Sequence, residues 1–284
     1  MILQELGSDQ VVTLRPSDSI DKAILLMEEH GIRHLPVVDG QRPIGMVSDR
    51  DLLAGVGGLS KAERISTTPG DATVGPQRVE QIMSTPVRTL APSDSIAAAL
   101  KLMTTEKISS VPLVTDEAIA GIVTETDCLR CFLDDRAVAL GTGWRFEKIE
   151  DHMSPEVLAL EPGDRLTTAL KIMTRRQIRH LPVTEDGVLL GVVSDRDLLK
   201  AWFRDAMFTT SETETGGAHM QPPDMRLIMK RNVVTVRPGD TVTSGADLML
   251  QYRIGCLPVV ESERLVGIIT ETDLLHCIAR AYEQ

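Results

Sequence analysis

Four heptapeptides combine a hydroxyl side chain with an aspartate three residues later, and both groups can bind a polar ligand. Each begins with glycine and two apolar residues, followed by the hydroxyl residue, two polar residues and the aspartate. This order predicts a buried strand that runs into a helix, with the hydroxyl as the helix N-cap. The aspartate then lies in the first turn, whose free N–H groups suit a phosphate. The copies occupy residues 45–51, 121–127, 191–197 and 267–273.

These motifs supply eight candidate binding residues, and two interpretations of them compete. A carboxylate at a helix N-terminus can simply stabilise the helix dipole, by about 0.3–1 kcal/mol. It can also accept hydrogen bonds from a ligand. The hydroxyl residues are Ser48, Thr124, Ser194 and Thr270, and the aspartates are Asp51, Asp127, Asp197 and Asp273.

The elements that position these residues recur with a fixed period. Pro36 and Pro182 lie 146 residues apart, and so do Pro112 and Pro258. Within each half a second, weaker repeat follows the first, so the order is A-B-A-B and indicates a duplicated two-repeat unit. The predicted repeats 1 to 4 cover residues 1–55, 79–133, 149–203 and 225–280. They form two modules, residues 1–133 and 149–284. Polar segments at 54–78 and 200–224 join the repeats within each module, and the segment at 133–148 joins the modules.

Each repeat has the same pattern of elements, which predicts an α/β protein made of α+β repeats. In repeat 1 a β-rich run at residues 11–14 is closed by Pro16, and a helix begins at Asp18 or Ser19. Strands follow at residues 34–38 and 44–48, and a second helix begins near Asp49. The predicted order is β-α-β-β-α, four times.

Composition restricts the function. The 284 residues carry a net charge of −11 with only 3% aromatics, which argues against nucleic-acid binding through phosphate neutralisation or base stacking. No apolar run approaches a membrane span and no signal peptide or disulfide framework is evident, so we expect a cytoplasmic protein with no membrane partner.

Catalytic and metal chemistry is not expected from the motifs. Cys128 and Cys131 form a C-x-x-C pair, but Cys128 occupies the position of Leu52, Leu198 and Leu274 in the other repeats. Both cysteines are therefore predicted to be core residues. No nucleophile–base pair, phosphate loop or metal-ligand set stands in a consistent context. The sequence thus predicts a protein that is not an enzyme and has no metal site.

The β-α-β-β-α unit with a Pro-centred strand and a Gly-x-x-Ser/Thr-x-x-Asp motif resembles the CBS domain. Two such domains form a Bateman module, and this chain resembles two modules in tandem, as in the gamma subunit of AMP-activated protein kinase. The resemblance implies a regulatory protein, with four repeats in a disc, that binds AMP, ADP, ATP or S-adenosylmethionine between paired repeats. It implies no required cofactor, and a separate protein partner that responds to the ligand.

The resemblance also assigns roles to residues. It implies that the four motif aspartates bind ribose hydroxyls, that the motif hydroxyls contact ribose or phosphate, and that Arg33, His34, Arg179 and His180 reach phosphate. The even repeats carry Ser109-Ser110 and Gly255-Cys256 there. Arg33 should therefore serve the Asp127 site and Arg179 the Asp273 site, which should bind phosphates better. The Asp51 and Asp197 sites, with only Arg50 and Arg196, should bind adenosine, S-adenosylmethionine or nothing.

Two functional hypotheses remain open at this point. The first is a metabolite sensor that binds adenosine-type small molecules and signals to an unidentified protein partner. The second is an interaction scaffold whose clefts bind no ligand. Single-stranded nucleic-acid binding is a weaker third reading. The chain is expected to be a monomer or a homodimer.

Overall fold

Each repeat contains a two-stranded antiparallel ladder between two helices. The computed structural model describes residues 1–56, 76–133, 146–210 and 223–282, with side chains excepted for residues 56, 203–210 and 281–282. The predicted linker interior at 211–217 lies outside these ranges. The strands are β1 (His34–Asp39), β2 (Arg42–Ser48), β3 (Ser110–Thr115), β4 (Ala118–Thr124), β5 (His180–Glu185), β6 (Val188–Ser194), β7 (Cys256–Glu261) and β8 (Arg264–Thr270).

Nine α-helices lie within the described ranges. They are α1 (Ile20–His30), α2 (Asp49–Val56), α3 (Ile96–Glu106), α4 (Glu125–Leu133), α5 (Leu166–Arg176), α6 (Asp195–Thr210), α7 (Met225–Ile228), α8 (Val242–Tyr252) and α9 (Glu271–Tyr282). Short 3₁₀ turns at Leu3–Glu5, Val79–Gln81 and Ile149–Asp151 open the first three repeats. None of the described helices is long and apolar enough to cross a membrane.

The prediction of a first strand at residues 11–14 is wrong, because the run forms one bridge instead of a ladder. Leu14 pairs with Val37 in parallel, donating to the Pro36 carbonyl at 2.9 Å and accepting from Val38 N–H at 2.8 Å. The next donor along the run would be Pro16, which has no N–H. The pairing therefore ends after a single residue.

The first helix of each repeat begins where the sequence predicts. Ser19 is the N-cap of α1, and its hydroxyl accepts the Lys22 N–H at 3.2 Å. The helix ends at Gly31, whose left-handed φ of 65° permits the stop. The second helix of repeat 3, α6, continues to Thr210 and so extends into the predicted linker at 200–224.

Reciprocal strand contacts pair repeat 1 with repeat 2. Ser8, in the segment that opens repeat 1, forms a β-bridge with Ile122 of repeat 2. Ser84, in the segment that opens repeat 2, forms a β-bridge with Met46 of repeat 1. The second half repeats this exchange, with Ser154 paired to Ile268 and Val192 to Lys230. The opening segments of the paired repeats are therefore exchanged.

Helix packing joins the two halves of the chain. The helices α2 and α6 pack together, as do α4 and α9. One hydrophobic cluster comes mainly from repeats 2 and 4 and includes Leu3 and Ile149 from the segments that open repeats 1 and 3. The other comes mainly from repeats 1 and 3 and includes Val79, Met225 and Met229 from the segments that open repeats 2 and 4. Each core is therefore shared between corresponding repeats of different halves. The disc shape remains a prediction.

Candidate ligand-binding clefts

Each motif hydroxyl and aspartate form a reciprocal capping box at the strand-to-helix junction. The Ser48 N–H and hydroxyl both donate to Asp51 Oδ2, at 2.8 and 2.6 Å, and the Asp51 N–H donates to Ser48 Oγ at 3.3 Å. This is the capping-box arrangement with aspartate in place of glutamate. The same contacts join Thr124 to Asp127, Ser194 to Asp197, and Thr270 to Asp273.

The glycine that opens each motif lets a neighbouring segment approach β2, β4, β6 or β8. A Cβ on Gly191 would lie 2.8 Å from the Lys230 carbonyl oxygen, and one on Gly121 would lie 3.0 Å from the Ser8 carbonyl oxygen. These carbonyls belong to the exchanged segments. Glycine is thus required by the packing between paired repeats.

The second carboxylate oxygen of three motif aspartates faces a neighbouring polar group. Oδ1 of Asp51 accepts the Ser84 hydroxyl at 3.3 Å. Oδ1 of Asp197 lies 3.2 Å from Lys230 Nζ, and Oδ1 of Asp127 lies 3.1 Å from Arg130 Nη1. Ser84 and Lys230 occupy the same position in the two halves. In these three aspartates the capping box therefore engages Oδ2, while Oδ1 contacts a polar group outside the box.

The prediction that free N–H groups at the motif helices bind phosphate is wrong for α2. Its first N–H donates to the Arg33 carbonyl at 3.2 Å, its second to Asp49 Oδ1 at 3.0 Å, and its third to Ser48 Oγ. The first three N–H groups of α6 are engaged in the same way. A phosphate near these helices must therefore be bound by side chains.

Three cavities lined by described residues contain a motif aspartate, and the largest of these three lies at Asp197, between repeats 3 and 4. Its volume is about 380 Å³, within the size range of small-molecule sites. Apolar walls come from residues such as Val234, Ile254 and Tyr252. Five cationic side chains line it: Arg33, Arg179, Arg196, Lys230 and Arg253.

A second cavity, of about 220 Å³, lies at Asp51 between repeats 1 and 2. His34 and Ser48 line it together with Asp51. Its cationic side chains are Arg50, Arg88, Lys107 and Arg179. Lys107 and Arg253 are corresponding residues, and both follow the last residue of a helix in the left-handed conformation.

A third cavity, of about 310 Å³, lies at Asp273. Thr270 and His180 line it, together with apolar residues such as Val157 and Ile178. Arg50 and Arg179 are its cationic side chains. Burial raises the pKa of Asp273 and of Asp51, although hydrogen bonds from Thr270 and Ser48 lower it. Asp127 and Thr124 are joined by their capping box, and Arg130 lies beside Asp127.

The expectation that the Asp51 and Asp197 sites lack cationic help is wrong. Even repeats supply Arg88 and Lys107 to the first and Lys230 and Arg253 to the second. The Asp273 cavity receives Arg179 as predicted. These cations come from the exchanged segments and helix ends of the neighbouring repeat, so the position before the Pro-centred strand does not by itself set the charge of a site. Among the described cavities, those at Asp51 and Asp197 carry more cationic side chains than the one at Asp273, which is the reverse of the expected order.

Arg33 and Arg179 are engaged in ion pairs between the two halves. Arg179 Nη2 donates to Glu125 Oε2 at 2.9 Å, and Arg33 Nη2 donates to Glu271 Oε2 at 2.8 Å and to Thr126 Oγ1 at 3.3 Å. Burial opposes the charge on Arg179, but Glu125 more than compensates and raises the pKa of the guanidinium above its usual range. Both arginines nevertheless line the Asp197 cavity.

The two histidines beside these arginines are neutral. Burial and the neighbouring arginines hold the pKa of His34 well below its usual range and lower that of His180 to about 3. His34 lines the Asp51 cavity, and His180 lines the cavities at Asp197 and Asp273. Both imidazoles therefore favour the neutral form, in which each keeps one N–H donor and one acceptor nitrogen.

Sequence reasoning missed four buried acids, one position after each motif hydroxyl. Asp49, Glu125, Asp195 and Glu271 are each less than 5% exposed. Oδ2 of Asp49 and of Asp195 has no hydrogen-bond partner, although Arg196 Nε lies 3.6 Å from Asp49 Oδ2. Burial and then the Asp49 carboxylate raise the pKa of Asp195 to about 7. An acid at this position in every copy was the available signal.

Comparison with known proteins identifies the family. The CBS-domain model matches residues 3–58, 79–134, 149–204 and 225–280. The chain therefore belongs to the CBS-domain proteins.

A full-length relative is protein MJ1225 of Methanocaldococcus jannaschii, 32% identical over 98% of this chain and 99% of that protein. The crystal structure of MJ1225 is described as that of a proposed archaeal homologue of g-AMPK. It matches this chain with a TM-score of 0.83 and 30% sequence identity, and the match covers 98% of this chain and 100% of the MJ1225 chain.

Two CBS pairs similar to about half of this chain were solved with adenosine ligands. CBSX2 of Arabidopsis thaliana, in complex with AMP, is 26% identical over 47% of this chain and 96% of its own, with a TM-score of 0.40. The pair of protein MJ0100, in complex with 5′-methylthioadenosine and S-adenosylmethionine, is 26% identical over 48% of this chain and 98% of its own, with a TM-score of 0.39.

Proposed function

We propose that the chain is a non-catalytic sensor that binds adenine nucleotides or S-adenosylmethionine between paired repeats and signals to a separate protein partner. The observation that carries the proposal is the geometry of Asp197. One oxygen is fixed by the capping box with Ser194, and the other faces a cation at the edge of a 380 Å³ cavity. A carboxylate so fixed offers acceptors to the vicinal hydroxyls of a ribose.

The cavity linings support a division of ligands among the sites. The Asp197 cavity combines apolar walls, suited to an adenine ring, with five cationic side chains, suited to a polyphosphate. The Asp273 cavity has two cationic side chains. We therefore assign ADP or ATP to the Asp197 site, and AMP, adenosine or S-adenosylmethionine to the Asp273 site.

The position of Arg179 supports a route from ligand to conformation. It lines the cavities at Asp51, Asp197 and Asp273 while pairing with Glu125 of the other half. A bound phosphate would compete with Glu125 for this guanidinium and so weaken a contact between repeats 2 and 3. Such a ligand shifts the arrangement of repeats by as much as its affinity differs between the two arrangements.

The test is a calorimetric titration of the full chain with AMP, ADP, ATP and S-adenosylmethionine. Saturable heat with at least one ligand at or below millimolar concentration is expected. A thermal-unfolding scan gives an independent measure, since ligand at 100 times its Kd adds about 2.7 kcal/mol of stability. Absence of heat and of stabilisation with all four ligands would reject the sensor and favour the ligand-free scaffold.

A further inference from the structure

A cluster of three different ligating side chains lies away from the clefts, near the start of repeat 3. Glu147, His152 and Cys277 each place one ligand atom within 4.8 Å of the other two. We propose that these residues form a binding site for zinc or a cation of similar chemistry. The set combines an imidazole nitrogen, a cysteine sulfur and a carboxylate oxygen, and zinc binds all three kinds of ligand, the cysteine as a thiolate that forms when the metal displaces its proton.

Two of the three distances between the ligand atoms already fit a tetrahedral ion, and the third must lengthen. Cys277 Sγ lies 3.7 Å from His152 Nε2 and 3.4 Å from Glu147 Oε2. Zinc bond lengths of about 2.3 Å to sulfur and about 2.0–2.1 Å to nitrogen or oxygen require about 3.6 Å between such pairs at tetrahedral angles. His152 Nε2 and Glu147 Oε2 are 2.5 Å apart and would separate by less than about 1 Å on binding. Three protein ligands leave the fourth position for water.

The backbone around the cluster is fixed by other contacts. The Glu147 carbonyl accepts the first N–H of α8, from Val242, at 2.9 Å. His152 ends the 3₁₀ turn Ile149–Asp151, whose Ile149 is completely buried in the core. Cys277 lies in α9 and is 3% exposed. A bound ion would therefore tie the opening segment of repeat 3 to the last helix of repeat 4.

The internal duplication supplies a matched comparison. The corresponding residues of the first half are Met1, Leu6 and Cys131. There Cys131 Sγ lies 3.1 Å from Met1 Sδ, and the imidazole and carboxylate are replaced by side chains that do not bind zinc well. The same scaffold thus accepts methionine and leucine at the positions of Glu147 and His152.

Arg280 also contacts His152, on the other nitrogen of the imidazole ring. Its Nη2 lies 3.4 Å from His152 Nδ1. Imidazole that binds a metal through Nε2 carries its proton on Nδ1, so a guanidinium donor there opposes binding. Arg280 is exposed and can turn toward solvent.

The test uses the full chain freed of metal and titrated with zinc, and with Co²⁺ as a spectroscopic probe of thiolate ligation. Wild type is expected to show a thiolate-to-cobalt charge-transfer band that zinc abolishes. Cys277→Ser should lose the band and Cys131→Ser should keep it. Glu147→Met and His152→Leu, which copy the first half, should each weaken zinc binding at least about a hundredfold, beyond the loss seen for outer-shell changes.

Two further outcomes decide the proposal. Tighter zinc binding by Arg280→Ala supports His152 Nε2 as the ligand atom, and weaker binding contradicts it. The site is rejected if the wild-type chain gives no charge-transfer band, or if the Cys131→Ser chain loses it and the Cys277→Ser chain does not. Nucleotide titrations of the same variants should be unchanged, which separates this site from the clefts.

Discussion

Arg179 and Glu125 form a buried ion pair, 2.9 Å long, between the third and the second repeat. Their side chains are 9% and 4% exposed. Glu125 also accepts the Thr272 hydroxyl at 2.9 Å, while Arg33 and Thr126 make the corresponding contacts to Glu271. Residues of all four repeats therefore meet in one polar network between the shared cores.

Removing one partner of this pair should destabilise the fold strongly. Arg179→Met leaves Glu125 buried without its cation and should lower the free energy of unfolding by about 3–5 kcal/mol. The double variant Arg179→Met/Glu125→Met should recover a large part of that loss. Lys148→Met, which breaks the exposed pair with Glu150, should cost about 0–1 kcal/mol. Urea unfolding measures the stability of all three variants. Equal losses of stability in Arg179→Met and Lys148→Met would contradict a structural role for the buried pair.

Asp195 should make stability depend on pH. Its pKa is raised from 3.8 to about 7, first by burial and then by Asp49, while Arg179 and Arg33 lower it. The folded chain therefore retains a proton that the unfolded chain loses, and stability should fall as the pH rises from about 4 to about 7.

Asp195→Asn should remove this decline. The free energy of unfolding of the variant minus that of wild type should be larger at pH 8 than at pH 5. Chemical denaturation of both chains at each pH measures this difference. Asp240→Asn alters an aspartate that accepts a backbone N–H in a turn and should follow the wild-type pH dependence. An Asp195→Asn chain that also follows the wild-type dependence would show that Asp195 titrates normally.

Gly191→Ala should disturb the contact between repeats 3 and 4. The new methyl group would lie 2.8 Å from both the Lys230 carbonyl oxygen and Met229 Sδ. The backbone must shift, at a cost of about 1–3 kcal/mol. Gly163→Ala has no atom within 4 Å of the new Cβ and should stay within about 0.5 kcal/mol of wild type. Similar unfolding midpoints for the two variants would argue against the close approach.

Arg253 should contribute to phosphate binding but not to adenosine binding. Arg253→Gln removes one charged donor from the Asp197 cavity, which is worth about 1.5–3 kcal/mol in a charged hydrogen bond. ATP affinity should therefore fall about tenfold to a hundredfold, while adenosine affinity stays constant. Lys22→Gln, an exposed surface change, is the control. Equal losses of ATP and adenosine affinity would contradict a contact between Arg253 and the phosphates.

The repeated elements could be predicted from the sequence because their signals are local. The Pro36 strand, the Ser19 cap and the stop at Gly31 each follow from a few neighbouring residues, and four copies in phase reinforce them. The burial of Cys128 and Cys131 was also predictable, from the leucines that replace Cys128 in other repeats, and is confirmed.

The electrostatics of the clefts could not be predicted in the same way. Lys230 and Arg253 reach the Asp197 cavity from another repeat, so their role depends on packing that no local pattern specifies. The burial of Asp49 and its three counterparts also depends on packing, because an acid next to a helix N-cap is usually exposed to solvent. The cluster of Glu147, His152 and Cys277 joins residues 130 positions apart along the chain, which spacing alone does not indicate.

The most direct test of the central claim compares ATP with 2′-deoxy-ATP on the full chain and on Asp→Asn variants of the four motif aspartates. Asparagine keeps an acceptor for the capping box but removes the carboxylate. Wild type should prefer ATP about tenfold to a hundredfold, from the loss of one charged hydrogen bond, and Asp197→Asn should reduce this preference to near unity. A wild-type chain that binds both nucleotides equally, or four variants that all keep the full preference, would contradict ribose recognition by these aspartates.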